Sequence, residues 1–354
     1  VLFRSYIVQA SYCDCVVTTD SMITIEDVIS LSLEHSATDI HLEVGTPIYI
    51  RAANGLESIS SICSVDMIKN VLQRCGVTHD EWHSVDNAFT SNGIRIRAHI
   101  YRANHRICGT LRLLCHANLS LDTSKDSDVL KQICEYHDGL VLVTGPTGSG
   151  KSYTLACCIE YINKTMNKHI ITLEDPVEYE FIPLQSIIHQ RQLGIDVDSM
   201  AHGIRDALRE DPDVIMVGEL RDRDTLEAAL HAAETGHLVL ATMHTQRAVM
   251  AVQRMISLFP GEQQDEVRSQ VSQVLRAVIC QRLLRWETSF ITIRDILLNT
   301  NAVANLIRNR KEPQIVSIQE TQAPMKTLEM AVRDVKTQYG SVHQLHALLE
   351  QQLS

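Results

Sequence analysis

The sequence predicts an α/β protein in which a small α+β domain precedes a larger domain built on a parallel sheet. After about Val129, strand-length apolar runs alternate with helical segments, and one run leads directly into the glycine-rich stretch Gly145–Ser152. Parallel strands that are buried on both faces have such continuous apolar runs in their sequences. The chain has 354 residues, of which 45% are hydrophobic, so each of two domains can bury a core of its own.

Composition narrows the class of protein. The net charge of −11 argues against a protein that binds nucleic acid through a basic surface. The ten cysteines are scattered and include no recurring C-x-x-C pair at zinc-binding spacing, so we expect reduced thiols in a cytosolic protein. No apolar run reaches the roughly 18 residues of a membrane span, and no secretory signal is recognisable.

The first part of the chain has a mixed pattern typical of an α+β domain. Thr24 is a predicted N-cap of a helix, the runs "DIHLEV" and "PIYIRA" alternate like strands around Gly45, and "VDMIKNVLQRC" is amphipathic. "GIRIRAHIYR" alternates so that Arg95 and Arg97 share one face of a strand. We therefore predict an N-terminal segment of unknown role at 1–22, a domain at 23–116, a polar linker at 117–128 and a second domain at 129–354.

The stretch "GPTGSGKS" matches the phosphate-loop pattern G-x-x-x-x-G-K-[ST] between a predicted strand and a predicted helix. Glycines let the backbone curl so that consecutive N–H groups point at phosphates, and the start of the following helix adds its positive end. Lys151 would reach the β- and γ-phosphates, and the Ser152 hydroxyl would bind Mg²⁺. The predicted nucleotide-contacting residues are Gly145, Pro146, Thr147, Gly148, Ser149, Gly150, Lys151, Ser152 and Tyr153.

Hydrolysis additionally needs carboxylates, which orient the attacking water and complete the metal shell. The run "HIITLED" ends in Glu174 and Asp175, and "DVIMVGE" ends in Glu219. The carboxyl ends of parallel strands meet at the sheet edge where ligands bind, so these acids are candidates for catalysis, with Glu174 and Asp175 also candidates for the Mg²⁺ shell. A further strand, "HLVLATMH", ends in His244, a candidate for sensing the γ-phosphate or for bonding the Glu219 loop.

Beyond Phe259 the sequence predicts a helical region. Val267, Val271, Val274, Leu275 and Val278 follow the spacing of one helical face.

Taken in order, "GPTGSGKS", "TLEDPVEYEF", "LREDPDVIMVGELRD" and "TGHLVLATMHT" resemble the Walker A, Asp box, Walker B and His box of the ATPases of type II and type IV secretion and of type IV pili. Among them the chain looks most like the PilT retraction ATPases, because no C-x-x-C zinc module follows His244. The resemblance covers about Ile23 to Gly340. It implies a PAS-like N-terminal domain, a P-loop RecA-like C-terminal domain and a C-terminal helical region.

The resemblance also implies activity, cofactors and partners. These are ATP with Mg²⁺, a homo-hexameric ring, an inner-membrane pilus platform protein, and a cytoplasmic location at the inner membrane. In this family, arginines of the N-terminal domain help neutralise the γ-phosphate. The matching arginines here are Arg95, Arg97, Arg102 and Arg112.

Three other functions stay open at this point. A motor for secretion or pilus assembly comes from the same superfamily. A RecA-like nucleic-acid translocase is disfavoured by the acidic balance, and no nucleic-acid partner is expected. A non-hydrolysing, nucleotide-gated scaffold is disfavoured because Lys151, Glu174 and Glu219 occur together.

Overall fold

The computed structural model describes residues 23–52, 55–77, 82–114, 119–122, 125–286, 289–340 and 343–351. The predicted N-terminal segment 1–22, with its C-x-C pair, lies outside the described residues. The described residues form two compact units. One contains those up to Val85 together with Ala98–Leu113, and the other contains Asp86–Arg97 together with those from Leu114 onward.

A six-stranded sheet contains the strands up to Leu114, in the order β3-β2-β1-β6-β5-β4. The strands are β1 (Asp39–Glu43), β2 (Pro47–Ala52), β3 (Gly55–Ile62), β4 (Ser84–Ser91), β5 (Ile94–Ala103) and β6 (Arg106–Leu114). The helices of this part are α1 (Ile25–Glu34) and α2 (Val65–Arg74).

Local chemistry accounts for these elements. Thr24 and Asp27 form a reciprocal capping box that begins α1, as the predicted N-cap requires. Gly45 turns the chain between β1 and β2 with a φ of 82°, a conformation that favours glycine. On β5, Ile96, Ala98 and Ile100 are buried, which confirms the predicted alternation.

A seven-stranded sheet forms the centre of the second unit, in the order β13-β12-β7-β11-β10-β8-β9. Its strands are β7 (Gly139–Thr144), β8 (His169–Glu174), β9 (Ile187–Gln192), β10 (Val214–Val217), β11 (Leu238–Met243), β12 (Leu275–Trp286) and β13 (Ser289–Leu298). All neighbouring strands pair in parallel except the antiparallel pair β12–β13. The predicted parallel-sheet domain is confirmed.

Helices cover both faces of this sheet. They are α3 (Ser127–Cys134), α4 (Lys151–Thr165), α5 (Met200–Ala207), α6 (Arg223–Glu234), α7 (Ala248–Ser257), α8 (Gln264–Val274), α9 (Asn301–Arg308), α10 (Ile315–Thr321), α11 (Leu328–Tyr339) and α12 (His343–Gln351). Side chains of α3 and α4 pack on one face, and side chains of α5 to α9 pack on the other. Every residue of β7, β10 and β11 is buried, as double coverage requires.

The predicted helix beyond Phe259 is wrong in its second half. Helix α8 ends at Val274, and Leu275 begins β12, which lies beside β7 in the sheet. Leu275 and Val278 are therefore buried strand residues. A short apolar run fits a buried strand and a buried helix equally well, so the place beside β7 decides the outcome here. Helices α9 to α12 then follow β13.

Part of the predicted linker is packed. Leu121 is buried against the core that contains α3 and α4, and α3 itself begins at Ser127.

Candidate nucleotide site

The phosphate loop joins the end of β7 to the start of α4. Gly145, Gly148 and Gly150 have φ values of 144°, 78° and 83°, which side chains other than glycine rarely adopt. A Cβ at Gly145 would also lie 2.3 Å from the Gln281 carbonyl oxygen. The Lys151 ammonium donates to the carbonyls of Gly145 and Pro146, both at 3.0 Å, so it lies over the loop. The loop is thus curled, with its cation held at the start of α4.

The electrostatics of the loop suit an anionic ligand. Burial lowers the pKa of the Lys151 ammonium, and the nearby negative charge of Glu219 opposes part of that shift. The N-terminal end of α4 adds the partial positive charge of its free N–H groups. Ser152, in the first turn of α4, is exposed, so its hydroxyl is accessible. Phosphate oxygens would meet both the ammonium and the helix end.

Glu219 lies after β10 and has two polar partners. Arg221 donates from Nε to its carboxylate at 2.8 Å, and His244 Nε2 lies 3.3 Å from the other carboxylate oxygen. Because β10 and β11 are neighbours, their ends place Glu219 and His244 side by side. His244 is therefore in contact with Glu219, whereas its other predicted role, sensing the γ-phosphate, stays a prediction. The negative charge of Glu219 also acts on the pKa of Lys151 in the phosphate loop.

Glu174 occupies a different environment from Glu219. It is 7% exposed, and one carboxylate oxygen accepts hydrogen bonds from Thr172 Oγ1 at 2.7 Å and Gln190 Nε2 at 3.1 Å. Burial raises the pKa of Glu174. Its neighbour Asp175 is exposed and lies 3.3 Å from Arg221 NH1. Asp175 and Glu219 thus share Arg221, whereas Glu174 is bound into the sheet.

Two of the predicted arginines belong to the second unit. Arg95 donates to the Val177 carbonyl at 3.1 Å and to the Glu180 carboxylate at 2.8 Å. Arg97 makes two hydrogen bonds to Asp86 and lies 3.8 Å from Glu178. The bonds to Asp86 raise the pKa of Arg97, and the charges of Glu178 and Asp175 add to that effect. These contacts bring Arg95 and Arg97 to the loop that follows Asp175.

The other two predicted arginines belong to the first unit. Arg102 donates to the Trp82 carbonyl at 3.3 Å and stacks over the Trp82 ring, with its guanidinium carbon 4.8 Å from the ring centre. Arg112 donates to the Asp39 carboxylate at 3.0 Å. Both side chains are engaged within their own unit.

The sequence analysis did not identify two residues that lie around the phosphate loop. Glu178 lies near Arg97, and its charge acts on Lys151. The signal was the run of acids in "EDPVEYE". Gln281, on β12, bonds the phosphate loop through its side chain. The signal there was a single amide inside the apolar run "AVICQRLL".

Tyr153, by contrast, was predicted, and its ring packs edge-on against Tyr179 with the centres 6.5 Å apart.

A parallel sheet, a curled glycine loop with a lysine, and carboxylates after β8 and β10 at the same edge of the sheet define a P-loop protein of the nucleotide-binding class. Residues 105–338 match the family described as "Type II/IV secretion system protein", and the chain belongs to this family.

Individual relatives narrow the assignment within this family. An Escherichia coli protein named only as uncharacterized, YggR, is 39% identical over 302 residues, which cover 84% of this chain and 92% of that protein. The type IV pilus retraction ATPase PilT of Pseudomonas aeruginosa is 35% identical over 321 residues, which cover 87% of this chain and 93% of PilT. The predicted resemblance to the PilT branch is confirmed.

A solved structure supports the same assignment. The crystal structure of the pilus retraction motor PilT with bound ADP superposes with a TM-score of 0.82 at 36% identity. The match covers 92% of this chain and 97% of that one. In the part of the present chain that the structure describes, no helix combines the length and apolar character needed to cross a membrane.

Proposed function

We propose that the chain is a Mg²⁺-dependent ATPase that powers the retraction of type IV pili. The observation that carries the proposal is the curled phosphate loop, with Lys151 on its carbonyls and Glu219 after β10, two strands away in the same sheet. Two relatives support the mechanical role, since one is named a pilus retraction ATPase and the other a pilus retraction motor with bound ADP.

The phosphate loop would hold the nucleotide. Backbone N–H groups of Gly145–Ser152 would surround the phosphates, Lys151 would bind the β- and γ-phosphates, and Tyr153 would lie at the rim. Among the described residues, no cluster of three or more acidic, His or Cys side chains preforms a metal site. That suits Mg²⁺ on a nucleotide, which needs few protein ligands because phosphates and waters supply the rest. The exposed Ser152 hydroxyl is the first of these ligands, and Asp175 is a candidate for the outer shell.

Glu219 is the best candidate for orienting the attacking water. It is close enough to Lys151 to affect its pKa, and His244 contacts it from the next strand. Glu178 is the second candidate, because its charge reaches both Lys151 and Arg97. Glu174 is less suited to act as a base, since its carboxylate already accepts two side-chain hydrogen bonds in a buried position. We propose that Glu174 has a structural role and fixes the end of β8 against β9.

The arginines would act when the domains close around ATP. Arg95 and Arg97 present five-donor guanidinium groups that suit phosphate oxygens. Their present partners are the carboxylates Glu180, Asp86 and Glu178, which a γ-phosphate could replace as acceptor. Arg102 and Arg112 are proposed for the same task in the assembled ring. The proposed assembly is a homo-hexamer on the cytoplasmic side of the inner membrane, turning a pilus platform protein.

A motor for secretion or pilus assembly is the second candidate. The matched family includes type II and type IV secretion proteins, so family membership alone does not separate the two directions of movement.

Replacement of Lys151 by alanine tests the ATPase. Hydrolysis of ATP in the presence of Mg²⁺ should fall at least about a hundredfold, because the phosphates lose their principal cation. Lys164→Ala is the matched control, since Lys164 lies in the same helix and pairs with Glu160 on its surface. Unchanged hydrolysis by the Lys151→Ala protein would show that the nucleotide site is assigned wrongly.

The direction of the motor is tested in cells. Cells that carry Lys151→Ala in place of the parent chain should keep surface pili and lose retraction, measured by tracking labelled pili. Loss of the pili themselves would instead identify an assembly or secretion motor.

A further inference from the structure

Strand β12 brings a buried amide against the phosphate loop. β12 runs parallel to β7, with Cys280 opposite Thr144, the last residue of β7, so Gln281 lies beside Gly145, the first residue of the loop. Gln281 is 1% exposed. A buried polar side chain needs specific partners, because an unpaired one costs free energy.

Gln281 has a partner at each end of its amide. Its nitrogen donates to the Ser149 carbonyl at 2.7 Å, and its oxygen accepts from Thr154 Oγ1 at 2.9 Å. The orientation of the amide is set by chemistry, since a carbonyl oxygen can only accept. Ser149 belongs to the phosphate loop and Thr154 to α4, so one side chain joins the loop to the helix that follows it.

The bond to Ser149 determines where the next N–H points. In a planar trans peptide, the carbonyl of one residue and the N–H of the next point in opposite directions. With the Ser149 carbonyl turned toward Gln281, the Gly150 N–H is turned away from β12. Gly150 precedes the first residue of α4 and has a φ of 83°. Its N–H is one of the backbone donors that a phosphate loop offers to a nucleotide.

We propose that Gln281 is a positioning residue that holds the phosphate loop in its nucleotide-binding shape through the Ser149–Gly150 peptide. The inference rests on the proposed nucleotide site and adds a residue outside the loop motif, on a strand 132 positions from Ser149. Gln281 does not touch the nucleotide in this proposal. It lowers the free-energy cost of binding the nucleotide, because the phosphate loop is already ordered before the nucleotide binds.

A neutral amide is the side chain that fits this task. Leucine has a similar size but offers no donor, so the buried Ser149 carbonyl would be left without its partner. A glutamate would keep the acceptor for Thr154 but would set a negative oxygen against the Ser149 carbonyl. When protonated, the same glutamate could donate to that carbonyl.

The test compares Gln281→Leu and Gln281→Glu with the parent and with Gln319→Leu. Gln319 is also a buried glutamine, at 2% exposure, and it donates to Asp295 and to the Ile296 carbonyl away from the phosphate loop. Both leucine variants remove buried hydrogen bonds, so both should be less stable to heat. Only Gln281→Leu should weaken the binding of ADP, by about tenfold, as measured by calorimetry.

The Gln281→Glu variant supplies a pH signature. It should bind ADP as weakly as Gln281→Leu at about pH 8 and recover as the pH falls to about 6, because burial raises the pKa of a carboxyl and the protonated form can donate. The parent and Gln281→Leu serve as references at each pH. Parallel pH profiles for all three proteins would overturn the positioning role.

Amide hydrogen exchange, followed without nucleotide, separates this inference from the proposed function. Exchange in residues 145–152 should be faster in Gln281→Leu than in the parent and in Gln319→Leu. If the parent fails to bind ADP, the proposed function falls, and the exchange data still decide whether Gln281 orders the loop. Equal exchange in all three proteins, or faster exchange with unchanged ADP affinity, would overturn the inference.

Discussion

The two sides of the phosphate loop differ in chemistry. On one side, partly exposed titratable side chains follow strands β8, β10 and β11. The exposed fractions are 40% for Asp175, 23% for Glu219 and 45% for His244. On the other side, buried neutral amides bond β12 and β13: Gln281 of β12 is 1% exposed, and Gln319 of α10, which donates to Asp295 and Ile296 of β13, is 2% exposed.

This difference assigns different tasks to the two sides: the charged residues can take part in the reaction, and the buried amides hold the loop in one conformation. Partly exposed ion pairs contribute little net stability and can exchange partners at low cost. Arg221 contacts both Glu219 and Asp175, so we expect it to exchange a carboxylate for a phosphate at low cost. A buried amide with two partners has no alternative of equal energy, so it holds a single arrangement. We therefore expect substitutions of the partly exposed charged residues to change turnover, and substitutions of the buried groups on either side to change stability or loop order.

The largest expected effect on the charged side is that of Glu219→Gln. The substitution keeps the size of the side chain and removes the charge that orients water, so turnover should fall about a hundredfold. The affinity for ADP should stay within a few fold, and both are measured on the same preparation. Glu227→Gln, at an exposed position of α6, is the matched control. Equal loss of binding and turnover would reassign Glu219 to structure and make Glu178 the better base.

Arg97→Ala should have the next largest effect. Loss of a guanidinium that reaches the charges of Glu178 and Asp175 should lower turnover about tenfold or more. Arg97→Lys keeps the charge but lacks the planar fork, so it should recover only part of the activity. Arg106→Ala removes an arginine that pairs with Glu43 and should leave turnover unchanged. Full activity of Arg97→Ala would exclude a role for this arginine in the reaction.

On the amide side, Asn299→Ala should lower the free energy of unfolding by about 1 kcal/mol. The Asn299 amide donates to the carbonyls of Ser272 at 3.0 Å and Leu275 at 2.8 Å, and so ties the start of β12 to the end of β13. Denaturant unfolding measures the loss, and ATP turnover at saturating ATP should be unchanged. A fall in turnover without a loss of stability would contradict the division between the two sides.

The smallest effect is expected for Glu174→Gln. Burial raises the pKa of Glu174, so its contribution to stability is complete at low pH and is lost as the pH rises through the raised pKa. A neutral glutamine avoids that loss. The variant should melt about 2 °C higher at about pH 8, and the difference should disappear as the solution is acidified. If the difference in melting temperature does not depend on pH, the ionisation of Glu174 does not affect the stability of the protein.

Local patterns predicted most of the charged side. The strands before Glu174, Glu219 and His244 were recognisable as short apolar runs, and their parallel pairing was expected from the alternation with helices. The contact between His244 and Glu219 fits one of the two roles predicted for His244, because β10 and β11 are neighbours. The burial of Glu174 was not predictable, since its partner Gln190 comes from β9 at the sheet edge.

The sequence by itself determined the phosphate loop, because its eight residues are contiguous and their glycines permit backbone angles that other residues avoid. It also determined which acids end the strands, since strand ends are local features. Only the tertiary structure decided which distant side chains contact the phosphate loop. Leu275 became a strand residue because a place beside β7 was available to bury it, and that placement brought Gln281 to Ser149 across 132 positions. Such contacts depend on the order of strands in the sheet, a long-range property that no local pattern contains.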